Sequence, residues 1–383
     1  MRIPPTVDAD WINSPAPLAA FCEAARALGV LALDTEFVRE RTFYPKTGLI
    51  QAAIGDRIAL IDPLALGDLE PLAALLRDPN IVKIVHSPSE DLEVFRRRLD
   101  AIPTPLFDTQ LAAAFVGRGW SRGYGALVHD LFGIELPKGE TRSNWLRRPL
   151  SDSQKHYAAL DVLYLPRMHA RLEQELRDLG RVDWMRQEMD RIEETARTDD
   201  DRLGSFRKLG RRRGASRRQL GVLHALVLWR EHEARERDLP RGFVLADAAL
   251  VEIAQRPPRS VDRLRAVDEL RPADIKRHGR AIVRVVREAL ALPKHDLPMP
   301  PPQPTDLTPH KEAIGRLRDQ VAEIAERHDL PRELLATRRT VERVARRLLD
   351  GVEPALPAGL RGWRREIVGE PLLEQAQREL LEA

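Results

Sequence analysis

The chain has 383 residues, 43% of them hydrophobic, one cysteine and a net charge of +3. That length exceeds a single core and predicts two or three domains, while the lone Cys22 excludes an intrachain disulfide and a cysteine-based zinc cluster. No apolar stretch reaches the roughly 18–20 residues of a membrane span, and residues 1–10 lack a basic start followed by an apolar segment, so a cytoplasmic protein with no membrane partner is expected.

Taken in order, Leu18, Phe21, Cys22, Ala25 and Leu28 fall at helical spacing and predict a helix over 16–28 with Cys22 in its core face. Residues 29–37, Gly-Val-Leu-Ala-Leu-Asp-Thr-Glu-Phe, make an apolar run of strand length that ends on two carboxylates. A strand has a side-chain period of two, so Asp34 and Glu36 point to one face. Two like charges that close fit a divalent cation such as Mg²⁺ or Mn²⁺, which takes carboxylate oxygens; they also fit a solvated strand end. A polar loop over 39–47 follows. Strands are expected over 49–54 and 58–61, with Gly55-Asp56 as their turn. A short helix over 69–76, a strand over 81–85, helices near 89–98 and 107–116, and a long helical stretch from Ser151 to about Leu179 complete the first domain. Several strands, followed by strands alternating with helices, predict an α/β fold with a mixed sheet.

The charge is unevenly spread. Residues 1–200 carry 25 Lys/Arg against 31 Asp/Glu, and residues 201–383 carry 37 against 28. An acidic first part and a basic second part fit a cation-using catalytic domain followed by a polyanion-binding region. The domains are therefore expected at 1–197, 217–293 and 311–383, joined by a basic linker over 198–216 and a proline-rich linker over 294–310. The last two are helical and duplicated: Asp238-Leu239-Pro240-Arg241 recurs as Asp329-Leu330-Pro331-Arg332, and at the same offset the apolar positions Val244, Leu250, Ile253 and Ala254 fall on Leu335, Val341, Val344 and Ala345.

Two further segments carry acids. After the strand over 81–85, Ser89 is a plausible N-cap that puts Asp91 in the first turn of a helix, at the sheet end where open α/β folds bind ligands. Later, Tyr157 and Asp161 stand four apart in an apolar helix, on one face. At about 100° per residue Tyr157 lies about 40° from Asp161 and His156 about 140°, so Tyr157 is the expected partner. An aspartate among Ala, Leu and Val is costly to bury unless paired or metal-bound.

Asp34-x-Glu36, Glu90-Asp91-Leu92 and Tyr157-x-x-x-Asp161 resemble the three motifs of the DEDD 3′→5′ exonuclease superfamily in its tyrosine-bearing branch. Leu33–Val38, Tyr44-Pro45, Gly48–Gln51, His86, Ser89–Phe95, Phe107–Gln110 and Tyr157–Val162 resemble the ribonuclease D family within it, and the helical repeats resemble HRDC domains. The resemblance implies a ribonuclease-H-like α/β exonuclease domain with a mixed sheet followed by two all-α HRDC domains. It implies that Asp34, Glu36, Asp91 and Asp161 hold two divalent cations, Mg²⁺ or Mn²⁺, and that Tyr157 positions the attacking water. The implied activity is release of 5′-mononucleotides from RNA 3′ ends, tRNA precursors among them, by a monomer. A DNA exonuclease and a non-catalytic nucleic-acid-binding protein are the rival readings. Phe37 is a candidate for stacking on the terminal nucleotide, and Trp145 with Arg142, Arg147 and Arg148 for touching RNA from a basic loop. Asp108 reads as a helix cap, His86 as structural, and Trp229 and Trp363 as core.

Overall fold

The computed structural model describes residues 7–137, 139–140, 143–198, 204–210, 215–300, 305–352 and 355–382. In chain order it runs β1 (Asp10–Ile12), α1 (Pro15–Leu28), β2 (Val30–Val38), β3 (Lys46–Ile54), β4 (Arg57–Ile61), α2 (Glu70–Arg77), β5 (Val82–Val85), α3 (Ser89–Leu99), β6 (Leu106–Asp108), α4 (Thr109–Phe115) and α5 (Tyr124–Phe132). Helices α6 (Asp152–Leu163), α7 (Leu165–Asp178), α8 (Val182–Arg197), α9 (Gly204–Leu209), α10 (Arg217–Glu236), α11 (Arg241–Val244), α12 (Asp247–Gln255) and α13 (Pro272–Ala291) follow. The last are α14 (Lys311–Arg327), α15 (Arg332–Leu335), α16 (Arg338–Leu349) and α17 (Glu370–Leu381).

Two compact units form: one from residues 1–38, 47–198 and 304–383, the other from 39–46 and 199–303. The first contains a six-stranded sheet in the order β1-β4-β3-β2-β5-β6. β4 runs parallel to β1 and antiparallel to β3, and β5 runs parallel to β2 and β6, so the sheet is mixed. β2 lies in its middle. Its first half is apolar because both sheet faces are covered there: Leu31, Ala32 and Leu33 are buried. Gly29, at φ 69°, closes α1 with its N–H on the Ala25 carbonyl and turns the chain into β2.

Three local expectations are corrected. The helical stretch expected from 151 to about 179 is two helices, broken at Tyr164, where Pro166 lacks the N–H that would continue the ladder. Phe107, expected at the start of a helix, belongs to β6 through pairing with Ile84, and the helix starts at Thr109 with Asp108 as its cap, as expected. Ser89 is already helical, with Pro88 in the cap position.

The duplication is physical. In the second unit α10, α11 and α12 build a core around Leu226, Val244, Leu250, Ile253 and Ile282; in the first unit α14, α15 and α16 stand 91 residues further on, with Leu317, Leu335, Val341 and Val344 in the equivalent places. This second copy packs on α8: the Trp184 and Trp363 rings stack at 5.0 Å, and the Trp363 indole N–H donates to Glu188 at 3.1 Å. Glu188 is buried and also pairs with Arg364 and Arg191. Burial alone raises its pKa, but the two arginines bring it below the usual range. Removing one partner of a buried pair is expensive because the remaining charge stays desolvated. Arg364→Ala should therefore destabilise the protein by about 3 kcal/mol in urea unfolding; a loss no larger than that from Arg316→Ala, whose pair with Glu379 is half exposed, would contradict this.

Candidate active site

The site stands where β2 loses its apolar character. Asp34, Glu36 and Asp161 each bring a carboxylate oxygen to within 4.8 Å of the others. The first two share a strand face, and the third comes from α6, which packs on β2 and β4. The α6–α7 break next to Asp161 is stitched by Tyr124, whose hydroxyl donates to the Leu160 carbonyl at 2.8 Å and accepts from the Tyr164 N–H at 3.2 Å.

Asp91 arrives by a different route. β5 ends in His86 and Ser87, and Ser87 adopts φ 56°, an uncommon conformation outside glycine. The Ser87 and Gln110 N–H groups both donate to Asp108 Oδ1 at 2.9 Å, and His86 Nδ1 meets the Thr109 hydroxyl at 2.9 Å. Asp108 is thus a cap that also fixes the turn, and His86 is structural. The turn puts Asp91 in the opening turn of α3. There its Oδ1 accepts from the Thr35 hydroxyl, so Asp91 lies outside the 4.8 Å trio while still raising the pKa of Asp34 and Glu36.

The electrostatics of this pocket are unfavourable. Burial, then Asp91, Asp161 and Glu36 push Asp34 well above the ordinary carboxylate range. Burial followed by Asp161 and Asp91 lifts Glu36 to about 8. Burial lifts Asp161 to about 7, opposed by a hydrogen bond from Tyr157. The Tyr157 hydroxyl is itself raised, by burial and then by Asp161, Glu36 and Asp34. An all-oxygen donor set whose charged forms are disfavoured by burial and mutual repulsion suits a hard divalent ion.

Tyr157 is braced from beneath. Its ring lies 6.2 Å from that of Trp145, and the backbone of Gly139 covers it so closely that a Cβ there would meet Tyr157 Cδ2 at 2.5 Å. Trp145 in turn lies on Gly48 of β3. This corrects the expectation for the basic loop: Trp145 is 1% exposed and packs under the tyrosine. Arg148 is likewise consumed by the fold, with Nε and Nη2 on the Asp62 carboxylate at 2.7 Å and further bonds to the Gly48 and Trp145 carbonyls. Arg147 is exposed, and Arg142 lies outside the described residues. Phe37 follows Glu36 on β2 and is partly exposed, as is His156 on α6. Thr35, Gly48 and Gly139 were not singled out in the sequence; a threonine between two metal-type acids is the one local signal that was there to read.

A mixed α/β sheet that gathers half-buried carboxylates beside a tyrosine, followed by twin helical domains, is an arrangement this chain shares with 3′→5′ exonucleases. The family models that match are a 3′-5′ exonuclease domain over residues 9–177, an HRDC domain over 219–286 and the ribonuclease D C-terminal HRDC domain over 309–372. Ribonuclease D of Pseudomonas paraeruginosa is 39% identical across 95% of this chain and 96% of its own. That of Escherichia coli K12 is 39% identical across 93% and 95%. The crystal structure of E. coli RNase D, described as an exoribonuclease involved in structured RNA processing, matches with a TM-score of 0.87 at 37% identity, over 97% of this chain and 99% of that one. The catalytic core of RRP6 from Trypanosoma brucei shares the fold at 22% identity, with a TM-score of 0.59 over 75% of this chain and 81% of that one. The chain belongs to the ribonuclease D family. Among the described residues, no helix is long and apolar enough to cross a membrane.

Two outcomes follow from this geometry. For an acid whose folded pKa is raised, the folded state keeps a proton that the unfolded chain has released, so stability falls as pH rises from the ordinary carboxylate range towards the folded value. For Glu36 and Asp161 that window closes at about 8 and about 7. A cation that binds only the folded state relieves the penalty. The rise in melting temperature on adding Mg²⁺ or Mn²⁺ should therefore be larger at pH 8 than at pH 6, and an equal or absent rise would contradict the reading. Gly139→Ala should displace the Tyr157 ring and lower turnover by about tenfold or more while leaving that metal-induced rise intact; wild-type turnover would show that the close cover does not matter.

Proposed function

We propose that the protein is a metal-dependent 3′→5′ exoribonuclease that releases 5′-mononucleotides, with tRNA precursors bearing short 3′ trailers among its substrates. The observation that carries this reading is the trio of Asp34, Glu36 and Asp161 oxygens within 4.8 Å of one another, in a chain that matches ribonuclease D over nearly its whole length. Asp34, Glu36, Asp91 and Asp161 would hold two divalent cations, Mg²⁺ or Mn²⁺. Such a pair supplies stabilisation of the attacking and leaving oxygens of a phosphodiester and a lowered pKa for the water between them.

The chain's own groups do the rest. The raised pKa of Tyr157 keeps its hydroxyl protonated, so it serves as an orienting hydrogen-bond partner for the attacking water and not as its base. Trp145, Gly48 and Gly139 hold that ring in place. Phe37, next along β2 from Glu36, would stack on the 3′-terminal base. The basic linker over 198–216 and the HRDC domains at 217–293 and 311–383 would supply phosphate contacts along the RNA, with the nuclease domain at 1–197 and the proline-rich segment over 294–310 as a spacer. We place the protein in the cytoplasm as a monomer.

The test is a 3′-extended tRNA incubated with protein and Mg²⁺ or Mn²⁺. Stepwise shortening with release of 5′-mononucleotides is expected, and Asp34→Asn should lower the rate by about 10²-fold or more, the scale of removing an electrostatic anchor from an active site. Tyr157→Phe should impair turnover far more than His156→Ala. Cleavage of a circular RNA would overturn the assignment, and the reverse order of the two helix variants would move the chain to the histidine-bearing branch.

A further inference from the structure

The repeated Asp-Leu-Pro-Arg takes no part in the chemistry above, yet its two copies share one shape. Asp238 and Asp329 adopt φ of 48° and 47°. The leucine that follows each donates its N–H five residues back, to the Ala234 and Ala325 carbonyls, at 2.9 Å in both copies. The proline then opens a one-turn helix. Left-handed backbone is uncommon outside glycine, and aspartate is among the residues that tolerate it. It turns the carboxylate away from its own helix, and in each copy that carboxylate meets backbone from the first part of the chain.

Asp329 lies against Gly117, just past α4, so closely that a Cβ on Gly117 would meet Asp329 Oδ2 at 2.3 Å. Asp238 makes the more specific contact. Its Oδ1 accepts the N–H groups of Phe43 and Tyr44, both at 3.0 Å. The Phe43 ring is buried, with the Arg235 and Arg241 guanidinium groups 5.0 and 4.8 Å from its centre. Both arginines are set by the buried Glu231, which pairs with each. Within the loop, Arg39 donates to the Phe43 carbonyl at 3.1 and 2.9 Å, and the Thr42 hydroxyl to that of Tyr44 at 2.6 Å.

Residues 39–46 are the connection between β2 and β3. Asp34 and Glu36 stand on the strand that enters this loop, and Gly48, the seat of Trp145 and so of Tyr157, on the strand that leaves it. We propose that Asp238 is a positioning residue for the active site: through its carboxylate the first HRDC domain holds the β2–β3 loop and thereby fixes both strand ends that carry the acids and the support of the tyrosine. The inference rests on the exoribonuclease reading for its consequence in turnover, but not for the contact itself.

The experiment uses the full chain with Asp238→Ala, Asp238→Asn and Phe43→Ala, and reads two quantities. One is the rate of tryptic cleavage after Arg41, which is exposed within the loop and whose cutting requires local opening. The other is kcat and KM on a single-stranded RNA with Mg²⁺. Asp238→Ala should speed the nick and lower kcat, each by about tenfold or more, with KM unchanged. Asp238→Asn keeps an oxygen able to accept both N–H groups and should fall between alanine and wild type in both readouts. Phe43→Ala undoes the same hold from the loop side and should speed the same nick, which keeps the test decisive if Asp238→Ala does not fold. An unchanged nick, a raised KM at wild-type kcat, or an asparagine variant as impaired as alanine would each overturn the proposal. A wild-type protein that releases no mononucleotides would sink the functional reading instead, and leave the proteolysis result standing.

Discussion

Three carboxylates with oxygens within 4.8 Å of one another, on a half-buried strand end and the helix that packs on it, repel each other. The hydrogen bonds of Tyr157 to Asp161 and of the Thr35 backbone to Asp34 offset only part of that repulsion. The large apolar core around Leu31, Leu33, Ile84, Phe95 and Val162 holds β2, β5 and α6 together, and the acids are carried along on their ends. Strain gathered at one place and offset elsewhere is the usual physical mark of a functional site. Here it takes the form of carboxylates pushed above their usual range by burial and mutual repulsion, a penalty that a divalent cation would relieve.

The second constraint is the bracing of Tyr157. In the proposed role, a hydroxyl that orients water needs a ring that cannot wander. Gly139 covers the ring, Trp145 lies beneath it, and Trp145 rests on Gly48, where no side chain would fit. Arg148 ties that layer to Asp62 and to the Gly48 carbonyl. Trp145 and Arg148, which a sequence reader assigns to substrate, therefore form a packed layer under Tyr157. The loop held by Asp238 extends the same logic to the ends of β2 and β3.

Much of the site was legible in the sequence because it obeys simple periods. A strand puts every second residue on one face, which paired Asp34 with Glu36; a helix stacks residues four apart, which paired Tyr157 with Asp161. The duplication showed because the tetrapeptide and an apolar helix face repeat at a single spacing. What stayed hidden depends on contacts between distant segments. The grip of Thr35 on Asp91 joins residues 56 apart, and β6 exists only through pairing with β5. Trp145 and Arg148 sit in a segment rich in arginine, so local composition described a surface while tertiary packing buried the indole. The break at Tyr164 was readable from Pro166 and was passed over because the apolar pattern continues across it.

Membership of the ribonuclease D family and the carboxylate geometry converge on one claim, that Asp34, Glu36 and Asp161 form a cation site. The most direct measurement is anomalous scattering from crystals of the full chain soaked in Mn²⁺. The account predicts peaks within coordination distance of these three carboxylates that disappear in Asp34→Asn. Crystals of active protein with Mn²⁺ present and no peak against any of the three would contradict it.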